Sequence, residues 1–213
     1  MAISIINPNS TASMTDAMLA TARAAVPGAL INAITSLDGP PSIQGEADGL
    51  AALAPLLALV EWESANGASA IVIGCFDDTG LAQARRIAAC PVIGIGQAGY
   101  HLAAMAGGRF SVVTTLAISV PILRGNIEAY GLAGHLGRVR ASGVPVLALE
   151  TDPVAAARQV IAEMEAAERE DAIDSIVLGC AGMVDIPRLA KDRIGVRIID
   201  GVASAVRIAA MLA

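Results

Sequence analysis

Aromatic residues are nearly missing from this chain: one Trp, two Tyr and two Phe among 213 residues. A core without large rings must be packed from Ala, Val, Ile and Leu, since rings otherwise supply the largest buried areas. Basic charge is scarce as well. Lys191 is the single lysine, and the net charge is −6. A nucleic-acid backbone is recognised through a basic stripe, and no such stripe exists. No apolar run has the length of a membrane span; Leu50 to Val60 is among the longest. The start, Met1-Ala2-Ile3-Ser4, has no charged region, so no signal peptide is expected there. Cysteines number three. An odd count without an export signal fits reduced thiols in the cytoplasm, not a disulfide framework. His101 and His135 stand alone, without ligand spacing, so no metal site is expected.

What is present is a set of short apolar, β-branched runs. Ile71-Val72-Ile73-Gly74-Cys75 and Ile176-Val177-Leu178-Gly179-Cys180 have the same form and lie 105 residues apart. Pro91 to Gly96 aligns with Val196 to Gly201 at the same offset, and Ile3 to Asn7 aligns with Phe110 to Thr114 at 107. Ala29 to Thr35 resembles Gly143 to Leu149 more loosely, at 114. A period this long is no solenoid. It predicts two similar α/β halves related by a pseudo-two-fold axis.

Continuous apolar runs of four to six residues read as strands buried on both faces, as in parallel sheets. The first half predicts strands at Ile3–Ile6, Leu30–Thr35, Ala70–Gly74 and Val92–Ile95. Helices lie between them, with Asp48 to Ala65 the longest. The loop from Asp38 to Gly45 has no regular pattern. The second half predicts strands at Phe110–Thr114, Val144–Leu149, Ile173–Gly179 and Arg197–Ile199. Its helices include Tyr100 to Ala106 and a long one capped by Asp152 and opened by Pro153. Ser10 or Thr11 is the expected cap of the first helix. Strand–helix alternation gives an α/β fold of two Rossmann-like lobes, each a four-stranded parallel sheet flanked by helices. The lobes are expected at 1–97 and 98–201, with the final helix, 202–213, crossing back onto the first. Ligands of such sheets sit at the carboxyl ends of the strands, so the active site is expected in the cleft between lobes.

Cys75 and Cys180 stand where two of those strands stop. One cysteine there is ordinarily a small core residue. Two, at matching places in a duplicated half and beside polar turns, point to chemistry. A zinc site lacks ligands, and a disulfide across the cleft has no rationale in a reducing compartment. Cys90 precedes Pro91 at the opposite strand edge and reads as structural. Two opposed thiols can take a proton from one face of a carbon acid and return one to the other. The enolate between these steps needs donors at its oxygen. Backbone N–H groups of Phe76, Asp77, Ala181 and Gly182 stand in the turns that could supply them. Asn7, Asn9, Thr114 and Thr115 are further candidates at strand ends. Asp77 and Asp78 would oppose thiolate formation at Cys75.

These motifs resemble the aspartate/glutamate/hydantoin racemase superfamily, and its hydantoin and allantoin racemase branch above all. The matching segments are Ile6-Asn7-Pro8-Asn9-Ser10-Thr11, Gly39-Pro40-Pro41-Ser42-Ile43, Cys75 to Leu81, Phe110 to Leu116, Leu178 to Met183 and Ile199 to Val202. The resemblance spans nearly the whole chain. It implies a cofactor-independent racemase in which Cys75 and Cys180 act on opposite faces of C5 of a hydantoin ring. It also adds Ile43 to the residues expected around the substrate. A small cyclic ureide is the implied partner, and a homo-oligomer is expected. Family members often carry Gly and Pro where Asp77 and Thr79 stand here. An acidic residue is also common at Gln97 and near Gln44, and neutral amides there are expected to alter the ring substituent accepted or the substrate altogether. No basic residue stands in the strand-end motifs, which disfavours a free dicarboxylate. Other chemistries of the superfamily remain open on these residues: decarboxylation of a malonate-type acid, cis–trans isomerisation through one thiolate, or binding without catalysis.

Overall fold

A computed structural model of the chain describes residues 2–213. Strands β1 (Ile3–Asn7), β2 (Ile31–Thr35), β3 (Ala70–Ile73) and β4 (Val92–Gly94) form a parallel sheet in the order β2-β1-β3-β4. Strands β5 (Phe110–Thr114), β6 (Leu136–Ala141), β7 (Ser175–Gly179) and β8 (Arg197–Ile199) form another, in the order β6-β5-β7-β8. The two sheets therefore share one topology. Among the described residues nine α-helices alternate with or follow the strands: α1 (Ala12–Ala25), α2 (Glu46–Ala65), α3 (Leu81–Ile87), α4 (Ile95–Met105), α5 (Val120–Ala129), α6 (Ala148–Thr151), α7 (Pro153–Glu170), α8 (Ile186–Ala190) and α9 (Gly201–Leu212). The architecture is the duplicated α/β fold expected from the repeats. Among the described residues no helix is long and apolar enough to cross a membrane.

The core has three layers because the inner strands are buried on both faces. Ile3, Ile5 and Val72 face a central layer, while Ile6, Ile71 and Ile73 pack under α2 and α3. Phe110, Val112 and Val177 face the same central layer from the other sheet, while Val113, Ile176 and Leu178 pack under α7 and α8. The central layer is α4 and α9, through Ile95, Ala98, Ala103, Val202, Ala205 and Ala209. α4 touches β4, β5, β7 and β8; α9 touches α1, β1, β3, β4 and β7. The scarce aromatics are concentrated at this seam. Tyr100 meets Phe76 edge-on at 5.2 Å, Phe110 at 6.1 Å and Tyr130 at 6.3 Å between ring centroids. Both Phe and both Tyr thus fasten the two sheets together.

Three expectations need correction. Residues 144–149 are not a strand; the chain there is a loop running into α6. The partner of β5 is β6, whose sequence Leu136-Gly-Arg-Val-Arg-Ala alternates because it is an edge strand with one polar face. Arg138 and Arg140 on that face pair with Asp171. The duplication is more regular than the sequence suggested, since Ile5 pairs with Ala33 as Val112 pairs with Val139. The second correction concerns α4, which begins at Ile95, directly after β4, and not at Tyr100. Asp78 explains this: its carboxylate accepts from Gly96 N at 3.0 Å and Gln97 N at 2.7 Å, satisfying first-turn donors that α4 cannot satisfy itself. The third is the cap of α1. Thr11 occupies the cap position without a side-chain cap bond, and its hydroxyl donates to Pro41 O at 2.7 Å. Asp152 does cap α7, accepting from Ala155 N at 3.2 Å.

Candidate active site

Each sheet delivers one cysteine from the end of a central strand. A glycine precedes it in both halves because the strand end lies against its neighbour. A Cβ on Gly74 would stand 2.7 Å from Met18 Sδ and 3.2 Å from Ile6 O. One on Gly179 would stand 2.8 Å from Thr114 Cβ and 3.0 Å from Val113 O. The turns that follow also match. Asp78 N donates to Cys75 O at 3.1 Å, and Met183 N donates to Cys180 O at 3.1 Å.

Both cysteines line one small cavity between the sheets. Of the residues singled out in the sequence, Asn9, Ile43, Phe76, Asp77, Thr114, Thr115, Ala181 and Gly182 line it with them. Asn7 does not. It is fully buried behind the cavity, where its Nδ2 donates to Asn9 Oδ1 at 3.0 Å and Thr15 Oγ1 at 3.0 Å. An amide at a strand end can serve the turn instead of a ligand, and Asn7 does so by holding Asn9. Met14, Ser119 and Val146 line the cavity without having been anticipated. Met14 lies in a helix that gave only a core signal, and Val146 was assigned to a strand. Ser119 carries no motif of its own. Its place just before α5, which Pro121 helps open, is the one available clue.

Burial governs the titration of the site. Desolvation pushes the Cys75 thiol far above the ordinary range and the charge of Asp77 adds to this; the Thr79 hydroxyl, donating to Sγ at 3.4 Å, and the Asp77 N–H pull against it. Cys180 is pushed up to about 12, again by burial first; the Gly182 N–H opposes this and the charges of Asp77 and Glu150 reinforce it. Burial raises Asp77 to about 6, against the Ser119 hydroxyl, and its Oδ2 is buried without a partner. Asp78 rises to about 7 by burial, although Tyr130 Oη donates to it at 2.8 Å and the Gln97 and Gly96 N–H groups also serve it. Among the described residues no Lys, Arg or His lines the cavity.

The two amides sit differently. Gln97 lies outside the cavity, its Oε1 accepting from Arg85 in a surface cleft that also contains Cys90 and His101. Gln44 reaches across the lobes, and its Oε1 accepts from Val146 N at 2.9 Å. All three cysteines are free thiols. Among the described residues no group of three His, Cys, Asp or Glu could hold a metal.

The duplicated α/β fold brings one strand-end thiol from each half to a shared cavity. Residues 3–209 match the family model described as Asp/Glu/Hydantoin racemase. Over 213 residues the chain is 45% identical to a hydantoin racemase of Rhizobium meliloti, covering all of this chain and 88% of that protein. Its structure matches an allantoin racemase from Klebsiella pneumoniae with a TM-score of 0.95 at 38% identity, over 100% of this chain and 87% of that one. An allantoin racemase from Pseudomonas fluorescens matches with a TM-score of 0.94 at 35% identity, over 100% and 90%. The protein belongs to the Asp/Glu/Hydantoin racemase family and is a racemase.

Proposed function

We propose that the protein inverts C5 of a 5-substituted hydantoin or of allantoin, with Cys75 and Cys180 as the two bases. One observation carries this reading: residues 105 apart in sequence, each ending a central strand of its own sheet, line the same small cavity. In the forward direction one thiolate takes a proton from C5, forming S–H and leaving the C–H electron pair in a planar enolate. The other thiol gives its hydrogen to the opposite face and becomes the thiolate. The reverse reaction exchanges the roles, so no redox partner enters the balance. Backbone N–H groups in the turns after Cys75 and Cys180 are the available donors for the enolate oxygen.

The surroundings suit a neutral ring. With no cationic side chain in the lining among the described residues, a dicarboxylate would be desolvated without compensation. A cyclic ureide presents N–H donors, and Asp77 Oδ2 is an acceptor lacking one. Met14, Ile43 and Val146 give an apolar wall for a C5 substituent.

Single enantiomers of 5-substituted hydantoins and of allantoin, incubated in D2O, test the proposal. Optical rotation should decay with deuterium appearing at C5 of the product. Loss of CO2 from a malonate-type acid in place of racemisation would assign the site to lyase chemistry instead. A Cys180→Ser protein that racemised at the normal rate would remove the two-base mechanism.

A further inference from the structure

The two thiol sites differ in the side-chain donor beside the sulfur. Thr79 Oγ1 donates to Cys75 Sγ at 3.4 Å. The position 105 residues further on is Val184, which has no hydroxyl. Among the described residues no side-chain hydroxyl donates to Cys180 Sγ; the Gly182 N–H is the group that lowers its thiol against burial. Thr79 also lines a second space, an open cleft of about 320 Å3 beside α2, together with Gly49, Leu53, Gln83 and Ile122. Gly49 leaves room above the hydroxyl: a Cβ there would meet Thr79 Oγ1 at 4.0 Å and nothing else within that distance. The hydroxyl thus stands in a wall, with the buried sulfur of Cys75 on one side and a solvent-open cleft on the other. Cys180 is half-buried where Cys75 is buried, and among the described residues no hydroxyl links it to a second cleft; a substrate filling the shared cavity would leave Cys75 a route to water through Thr79.

We infer that Thr79 is a one-sided hydrogen-exchange relay, through which hydrogen on Cys75 swaps with solvent while substrate is bound and hydrogen on Cys180 does not. The inference rests on the two-thiol reading above. The exchange balances without a co-reactant. In D2O the substrate-derived S–H and the Thr79 O–D trade isotopes, giving S–D and O–H. The hydroxyl then exchanges its hydrogen with water in the cleft. Return of the S–D deuteron to the face it came from labels the unreacted enantiomer. One enantiomer gives its hydrogen to Cys75 and the other gives it to Cys180, so the labelling is unequal.

The measurement is deuterium content of the remaining substrate at early conversion in D2O, started from each enantiomer separately. One enantiomer should take up label before inversion several-fold faster than the other. Thr79→Val should abolish the difference and Thr79→Ser should restore it, with denaturation midpoints confirming folded protein. Gly49→Leu, which covers the hydroxyl but leaves its bond to sulfur, should also suppress the label. Equal labelling of both enantiomers by the unaltered protein would overturn the relay, as would a difference that survives in Thr79→Val. Racemisation with equal labelling would spare the two-thiol mechanism; absence of racemisation from both enantiomers would remove mechanism and relay together.

Discussion

Gln44 and Val146 join the two halves of the molecule at the cavity, the side-chain Oε1 of one accepting from the backbone N of the other at 2.9 Å. Ile43, beside Gln44, and Val146 itself both line the cavity. The loop is fixed in turn because Gln44 N donates to Asp48 Oδ2 at 2.9 Å. Gln44→Leu leaves the Val146 N–H without an acceptor, at a cost of about 1–3 kcal/mol. Because this bond holds Val146 in the cavity wall, KM should rise roughly tenfold while kcat changes less. Gln44→Glu keeps an acceptor in place and should recover most of the affinity. Steady-state kinetics of the two variants check this, and equal KM values in both would contradict it.

The pH dependence follows from buried acids. Asp77 is raised to about 6 and Asp78 to about 7 by burial, so the folded protein keeps protons that the unfolded chain loses near its ordinary carboxylate range. The stabilisation from each is complete below that range and is lost as pH rises through 6 to 7. These groups make the protein less stable at pH 8 than at pH 5. Asp77→Asn removes its share, on the order of 2 kcal/mol, so urea midpoints of the variant should depend less on pH. The same substitution removes a charge that raises both thiols. The rising limb of kcat/KM against pH should therefore move to lower pH. An unmoved limb would show that Asp77 does not govern thiolate formation.

The inner strands were legible because they are buried on both faces and carry continuous apolar runs. From them came the duplication, the fold and the meeting of Cys75 with Cys180. Strand β6 was hidden because Arg138 and Arg140 interrupt its apolar character, and Val144 to Leu149 imitated it. The start of α4 was hidden because its first-turn donors are satisfied by Asp78, distant in sequence and near only in the folded state. That Asn7 lies outside the cavity lining was hidden for a related reason: sequence shows an amide at a strand end but not which way its bonds run. Val146 and Ser119 reach the cavity through the packing of loops, which leaves no periodic trace.

Replacement of either cavity cysteine tests the pairing of roles. A serine hydroxyl ionises far less readily than a thiol, so Cys75→Ser and Cys180→Ser should each lower racemisation by about 10³-fold or more. Cys90→Ser is the control, because Cys90 lines a separate surface cleft, and its rate should stay at that of the unaltered protein. Polarimetry of purified variants at equal concentration provides the comparison. Equal losses in all three would indicate thiol-dependent folding, not thiol-dependent catalysis.

The glycine before each cysteine offers a last test, because what surrounds the two differs. An added Cβ at Gly74 meets first the flexible end of Met18, with Sδ at 2.7 Å and Cε at 3.0 Å. At Gly179 it meets Thr114, with Cβ at 2.8 Å and Cα at 2.9 Å, and Val113 O at 3.0 Å. Met18 can turn aside, but the backbone of β5 cannot move without disturbing its pairing with β7. Gly179→Ala should then cost about 2–3 kcal/mol in stability and Gly74→Ala about 1 kcal/mol. Activity should fall further in Gly179→Ala, because any opening between β5 and β7 displaces Thr114 and Cys180 together. Denaturant midpoints and racemisation rates measured on both proteins decide the order, and a reversed order would mean that Met18 is held more firmly than its side-chain freedom suggests.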